Sequence, residues 1–331
     1  MARKIYIHVG LQRCASTLIE HAFQDPTQPI SAKLREGGVL PLIDLHRFLG
    51  QHRQDSHWNE AFVGQVRVQF IDPLLNDDAW PAAFLTEEGL SVTCLPDGPG
   101  IDVAARAGYL KTLFEGFDTT VILLVRDQTS FVRSLYALHL QNGGTMGFEA
   151  FLADIPERAL DWRALADIYA DVFGAECLQV LPYNAAAYPK GSTSVTGFLA
   201  ALQRTMGVEE PLEVPRNHLY NPSIKTPDLP IQLAANRALE PTLAAQVGKH
   251  LRSGVTKPYE IMRAIRNELG GPAATEVRAA INAGSVDAAR SDATPFSHTD
   301  PTAFLERFSD QNRILCETYM PAYNPAPFVS N

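Results

Sequence analysis

Four short apolar runs, separated by stretches with helical spacing, constrain the fold of this 331-residue chain more than any other feature. The runs are 5–9, 82–85, 121–125 and 178–181, and the predicted helices include 17–23, 103–113, 130–140 and 162–173. Strands that alternate with helices favour parallel pairing, because a right-handed helical crossover starts the next strand at the same end of the sheet. We therefore predict an α/β fold, an open parallel sheet with helices on both faces and a ligand crevice at the strands' carboxyl ends.

The chain changes character near residue 211, where prolines that break any long helix become frequent. They are Pro211, Pro215, Pro222, Pro227 and Pro230, and they predict an extended surface loop over 212–230. Helical spacing returns at 231–251, 259–269, 274–283 and 301–319. We predict a single domain over 1–331, with an α/β core at 1–210 and a loop with a helical appendage at 211–331.

The first apolar run leads into a tight loop and the start of a predicted helix. Gly10 permits the sharp exit from the strand, and Ser16 and Thr17 can satisfy backbone amides where the helix begins. Free N–H groups and the positive end of the helix dipole then meet at one point, which favours an anion. The spacing nearly fits the Walker A pattern, but Ala15 replaces its second glycine and Ser16 its lysine. The basic residue lies three places earlier, at Arg13.

A second polar cluster follows the strand predicted at 121–125. Arg126 ends the apolar run, and Ser134 comes eight positions later in the predicted helix, on the face that it shares with Ser130. An arginine fork with a hydroxyl beside it suits a dianionic phosphate. Two other interpretations stay open: a structural ion pair between Arg126 and Asp127, or a distorted Walker B site with Asp127 on magnesium.

The two loops together resemble those of bacterial-type sulfotransferases, which use 3′-phosphoadenosine 5′-phosphosulfate (PAPS). Segment 12–17 resembles their 5′-phosphosulfate loop, usually Pro-Lys-Thr-Gly-Thr-Thr, although Gln12, Arg13 and Ala15 depart from it. Arg126 and Ser134 have the separation of the family's arginine and serine that bind the 3′-phosphate. The resemblance implies a P-loop-type sheet, a nucleotide-binding core at 1–210 and a substrate-side appendage at 211–331. It implies that PAPS is bound by Gln12, Arg13, Cys14, Ala15, Ser16, Thr17, Arg126 and Ser134.

Segment 84–91 resembles the family's strand that ends in Ser-Ser-Glu, with Glu88 in the place of that glutamate. The resemblance implies in-line transfer of a sulfuryl group to a hydroxyl of a carbohydrate, glycolipid or small metabolite, with no metal required. Arg13 is the candidate that stabilises the leaving phosphate oxygen, and Glu88 is the candidate base for the acceptor proton. The alternative is that Glu88 orders the phosphosulfate loop or a substrate hydroxyl. The other candidates are Glu87, His139 and His21 as bases, and Arg133, Arg216 and Lys225 as phosphate ligands.

Two further functions stay open at this point. A P-loop NTP-dependent kinase would use the same loop, although the missing Walker lysine argues against it. A nucleotide-binding protein with lost transferase activity would keep the pocket and depart from the family at Arg13 and Ala15.

Composition limits the partners of this chain. The net charge of −9 and the pI near 5.5 argue against broad nucleic-acid binding, so an anion site must be a local basic cluster. No apolar run approaches the ~20 residues of a membrane span, and the sequence opens on a strand rather than a signal peptide. The four cysteines form no Cys-x-x-Cys pair. We expect a bacterial, cytoplasmic enzyme that acts on a small-molecule or glycan acceptor; its oligomeric state does not follow from the sequence.

Overall fold

A computed structural model of the chain describes residues 3–14, 18–19, 22–23, 27–52, 54–77, 79–91, 102–209, 211–212 and 224–329. Within them, five parallel strands form one sheet in the order β2-β3-β1-β4-β5. The strands are β1 (Lys4–His8), β2 (Val39–Pro41), β3 (Ala82–Thr86), β4 (Asp118–Val125) and β5 (Leu178–Pro182). The predicted α/β class is therefore confirmed, with an all-parallel sheet flanked by helices.

The centre of the sheet is buried on both of its faces. Five consecutive residues of β4, 121–125, have no exposed surface, although alternate side chains of a strand point to opposite faces. Continuous apolar runs of this kind are typical of parallel strands covered from both sides. All four apolar runs of the sequence are strands, whereas β2 was missed because it has only three residues and carries no run of its own.

The chain divides into two compact units. The first consists of Met1–Gln128, Glu157–Tyr220 and Leu305–Asn331, and it contains the sheet. Its helices are α1 (Pro29–Glu36), α2 (Ile43–Gly50), α3 (Glu60–Val66), α4 (Asp72–Leu75), α5 (Val103–Leu113), α8 (Trp162–Phe173), α9 (Ser194–Met206) and α16 (Ser309–Tyr319). Residues 18–19 and 22–23 also have helical backbone.

The second unit consists of Thr129–Pro156 and Asn221–Phe304, and it is helical. It contains α7 (Phe148–Asp154), α10 (Leu229–Ala238), α11 (Pro241–Arg252), α12 (Pro258–Leu269), α13 (Gly271–Ala280) and α14 (Ala283–Ala293). Two helices begin or end beyond its limits, α6 (Gln128–Gln141) and α15 (Pro301–Glu306). The boundary of the units does not coincide with the predicted division at residue 211, because 129–156 groups with 221–304.

Proline and cap residues divide the appendage into more helices than the spacing predicted. The single helix predicted over 231–251 is wrong: α10 ends at Ala238, and Pro241 takes the first position of α11, where its missing N–H costs nothing. The helix predicted over 274–283 ends at Ala280, and Asn282 caps a further helix. The segment 301–319, predicted as one helix, likewise forms two helices. The loop predicted over 212–230 ends earlier than expected, because Thr226–Asp228 forms a 3₁₀ turn.

One arginine holds the end of α5 in the first unit. Arg67 donates hydrogen bonds to the carbonyl oxygens of Thr112 at 3.1 Å, Leu113 at 3.2 Å and Glu115 at 3.0 Å. Carbonyls at a helix C-terminus lack partners within the helix and carry its negative dipole end, so a cation there is stabilising.

We expect Arg67→Ala to lower the free energy of unfolding by about 1–2 kcal/mol, because it removes charge-assisted hydrogen bonds. Urea unfolding followed by circular dichroism measures the change. Arg47→Ala is the matched control, since Arg47 is well exposed and, within the part of the chain that the structure describes, forms a surface ion pair with Asp44 at 3.6 Å. Equal losses for the two variants would contradict the assignment.

Candidate functional site

The carboxyl ends of β1 and β4 lie side by side at the point where the order of the strands in the sheet reverses. The two strands are neighbours, and the chain leaves β1 toward β2 on one side but leaves β4 toward β5 on the other. In open α/β sheets, ligands bind in the crevice outside such a pair of strand ends. The loop that contains Arg13 follows β1, and Arg126 directly follows β4. Sheet order alone therefore brings both predicted motifs to one place.

Arg13 and Arg126 are in contact at this place. The Nη1 of Arg126 donates a hydrogen bond to the carbonyl oxygen of Arg13 at 3.4 Å, and both side chains are half-buried. Arg13 has φ +64°, in the left-handed region, although it is not glycine. Such a backbone costs free energy and persists where the surroundings enforce it, often at functional sites. The loop tightens directly after it, where the amide of Cys14 donates to the carbonyl of Leu11 at 3.3 Å.

The two guanidinium groups create a local positive potential in an acidic chain. Burial lowers the pKa of Arg13, and the neighbouring positive charge of Arg126 lowers it further, while Glu88 opposes the shift. Burial raises the pKa of Tyr183, and the positive charges of Arg126 and Arg13 oppose that rise. Glu88 and Tyr183 are therefore close enough to Arg13 to interact with its charge. An anion between the guanidinium groups would relieve their mutual repulsion.

The turn that carries Glu88 is fixed from several sides. The ladder between β1 and β3 continues one step, since the amide of Glu87 donates to the carbonyl of His8 at 3.1 Å. The buried carboxylate of Glu87 accepts from the amide of Gly89 at 2.9 Å and lies 3.2 Å from Nδ1 of His46. Tyr169 donates to the carbonyl of Leu90 at 2.9 Å. These bonds hold Glu88, half-buried at the start of a 3₁₀ turn, at a constant position.

Arg106 adds a buried charge behind the same turn. Its guanidinium donates to the carbonyl oxygen of Gly89 and to the carboxylate of Asp55, and it lies 5.1 Å from the centroid of the Trp58 ring. Its side chain is 1% exposed. A buried arginine that is paired and stacked in this way supports the turn and is not available to a ligand.

The segment after β4 is anchored by side chains from later parts of the chain. The indole of Trp162 donates to the carbonyl of Arg126 at 2.8 Å. Asn184 donates to Oδ2 of Asp127 at 2.9 Å, and the amides of Gln128 and Asn312 exchange two hydrogen bonds of 2.9 Å. Asp127 and Gln128 are buried. These hydrogen bonds fix the backbone at Arg126. The guanidinium of Arg126 extends from this fixed segment to the loop at Arg13.

Close packing explains why residue 10 is glycine. A Cβ at Gly10 would lie 2.2 Å from Nε2 of His8, and the hydroxyl of Ser91 donates to the carbonyl of Gly10 at 2.9 Å. His8 is fully buried, and its Nδ1 lies 2.8 Å from Oγ1 of Thr86. Burial lowers the pKa of His8 to about 3, so its ring stays neutral at physiological pH. His8 therefore packs under the loop as a structural residue.

The other residues predicted to bind PAPS, and two further candidates, differ in where they lie. Gln12 and Cys14 lie in the loop with Arg13, whereas Ala15, Ser16, Thr17, His21 and Arg216 lie outside the described residues. Ser134 is half-buried in α6 and belongs to the second unit, so its role as a phosphate ligand stays a prediction.

The remaining candidates have structural surroundings of their own. His139 is buried, with its ring 5.0 Å from that of Phe151. Arg133 lies 5.0 Å from the ring of Phe296, and Lys225 is exposed. Sequence reasoning missed Tyr183 and His46. Tyr183 could have been found by position, because it directly follows β5 at the carboxyl edge of the sheet. His46 carries no such signal.

Among the residues that the structure describes, no group of three or more His, Cys, Asp or Glu side chains is arranged to hold a metal ion. No described helix is long and apolar enough to cross a membrane. Compared with protein-family models, with curated proteins and with solved structures, the chain matches none of them.

Gly10→Ala should lower the free energy of unfolding by about 1–3 kcal/mol, because the added methyl group collides with the buried His8 ring. In a chain that already carries His8→Ala, the same substitution should cost clearly less, since the imidazole has been removed. Denaturant unfolding of the two single variants and the double variant measures this coupling. Additive losses would show that His8 does not set the space at Gly10.

Proposed function

We propose that this protein is a sulfotransferase that moves the sulfuryl group of PAPS to a hydroxyl of a carbohydrate, glycolipid or small metabolite. The observation that carries the proposal is the contact between Arg13 and Arg126 at the carboxyl ends of β1 and β4. Neither motif is specific on its own. Together they lie at the strand ends where open α/β sheets bind their ligands, and two separate arginines suit a nucleotide with two separate anionic groups.

The charges of the site fit such a nucleotide. PAPS carries a phosphosulfate at its 5′ position and a phosphate at its 3′ position. Arg13 is assigned to the first group and Arg126 to the second, and each half-buried guanidinium gains an anionic partner. The loop of 12–17 then acts as a P-loop-type anion site, with Arg13 in place of the usual lysine.

Glu88 and Arg13 divide the chemistry between them. In the transfer, the acceptor oxygen forms a bond to sulfur while the bond from sulfur to the phosphate oxygen breaks. Negative charge then develops on the departing oxygen, where the fixed charge of Arg13 stabilises it. The carboxylate of Glu88 accepts the proton of the acceptor hydroxyl. The charge interaction between Glu88 and Arg13 supports this division, because the base at the acceptor and the cation at the leaving oxygen both have to lie near the transferred group.

The kinase alternative has less support from the geometry. A Walker B carboxylate has to face magnesium, whereas Asp127 is buried and accepts a hydrogen bond from Asn184 at 2.9 Å. The class of acceptor rests on the family resemblance, and the cytoplasmic setting rests on the expectations from composition; both stay part of the proposal.

Arg126→Ala should weaken the binding of 3′,5′-phosphoadenosine by about tenfold or more, as expected when a charge-assisted hydrogen bond is lost. Isothermal titration calorimetry measures the affinity. Arg163→Ala is the matched control, since Arg163 is half-exposed and, among the described residues, its ion pair is with Asp167 one helical turn away at 3.3 Å. Unchanged affinity for Arg126→Ala would remove this residue from the site. Thermal stabilisation of the protein by ADP with magnesium, but not by 3′,5′-phosphoadenosine, would favour a kinase.

Arg13→Met should reduce the rate of sulfuryl transfer by about 10²–10³, because it removes the charge at the leaving oxygen. Arg13→Lys keeps a charge and a comparable backbone cost at the left-handed position, so it should retain much more activity. Transfer of labelled sulfate from PAPS to a panel of sugars, glycolipids and phenols is the measurement. Tight nucleotide binding without any product would show a binding protein rather than a transferase.

A further inference from the structure

The second unit contains a cavity of about 560 Å³, formed by the start of α10 and by parts of α12, α13 and α14. This volume lies in the range of small-molecule sites. Much of its wall is apolar, and it includes Ile231, Met262, Ile281 and Val286. The helices bury their apolar faces elsewhere, since Ile261, Ile265 and Val277 are fully buried. The cavity is thus a feature of an otherwise close-packed unit.

A buried carboxylate lies in the wall of this cavity. Asp228 is 8% exposed, and no described residue donates a hydrogen bond to its side chain. Burial raises the pKa of Asp228, and the attraction of the exposed Lys225 opposes the rise only in part. A carboxylate that lies mostly out of water beside an apolar wall favours a cationic partner.

The local backbone explains why Asp228 does not cap its own helix. It occupies the N-cap position of α10, where aspartate normally accepts a hydrogen bond from the second or third helical amide. The second position is Pro230, which has no N–H. The backbone of Asp228, with φ −98° and ψ −8°, is also not the extended one that aims a capping side chain at the third amide. The carboxylate of Asp228 therefore does not cap α10 and remains free to interact with a molecule in the cavity.

The other charged groups of the wall lie closer to the solvent. Arg290 and Asp287 are two-thirds exposed and pair with each other at 3.3 Å, so their charges largely cancel. Arg278 is exposed on α13. Asp228 is the least exposed charged residue of the wall, which also contains the polar Thr256 and Asn282.

We propose that this cavity binds a small primary amine, with its ammonium group on the carboxylate of Asp228 and its hydrocarbon part on the apolar wall. A charge-assisted hydrogen bond satisfies a buried carboxylate better than a neutral donor does. The hydrocarbon part gains free energy in proportion to the apolar area that it buries. The proposal is independent of the sulfotransferase function, because none of the wall residues is assigned to PAPS or to the transfer.

The test measures binding of hexylammonium, 1-hexanol and hexanoate to the full chain by isothermal titration calorimetry. Hexylammonium should bind most tightly, and Asp228→Asn, a change of charge with little change of shape, should weaken it by about tenfold or more. Asp287→Asn is the matched control, because this exposed carboxylate lies in the same wall, and it should change the affinity by no more than about twofold. Thermal unfolding of both variants verifies that they are folded.

Val286→Phe provides a second, independent variant. The half-buried Val286 lines the cavity, so a larger side chain there should reduce binding of hexylammonium while Asp228 is unchanged. Equal affinity for 1-hexanol and hexylammonium, equal effects of Asp228→Asn and Asp287→Asn, or no binding of hexylammonium at all would overturn the proposal.

Discussion

The parallel pairing of β1 with β4 is the interaction on which the rest of the site depends. It joins the first strand of the chain to one that begins at residue 118, and both strands continue into a polar loop at the same edge. Residues 121–125 have no exposed surface, so a slip in register would bury different side chains and cost much apolar contact. The register fixes where β1 and β4 end, and therefore fixes Arg13 beside Arg126.

A buried polar network supports these strand ends. His8 contacts Thr86, Glu87 contacts His46, and Ser91 binds the carbonyl of Gly10. Each link joins β1 or its loop, or the turn after β3, to a partner that a shift of a fraction of an ångström would disturb. Because buried polar groups are costly without partners, the network favours one arrangement of the loop over its alternatives. That rigidity is what a site for a defined anion needs before the ligand arrives.

The chain concentrates positive charge locally while it is acidic overall. Burial and the positive charge of Arg126 both lower the pKa of Arg13, so holding the two cations close together costs folding free energy. A site that stores such repulsion binds an anion more strongly than either arginine would alone in water. Asp228 presents the reverse situation in the second unit, a buried carboxylate with an apolar cavity beside it. In both places the local charge is the observation from which we propose the chemistry of a ligand.

The sequence by itself determined the fold class, because apolar runs of 4–8 residues between helical stretches allow little else. It also predicted α5 and α8 with their correct bounds, and it placed Arg13 and Arg126 at the same edge of the sheet. It failed at β2, which has too few residues for a periodic signal, and at α10 and α11, where spacing outweighed Pro241.

Only the tertiary structure decided how the side chains around those positions are used. That Tyr183 interacts with the arginines and Glu87 with His46 follows from packing between segments far apart in the chain. That Asp228 faces a cavity instead of capping its helix depends on backbone angles. Periodicity reports the environment of a residue within one element, whereas partners come from the contacts between elements, which no local pattern encodes.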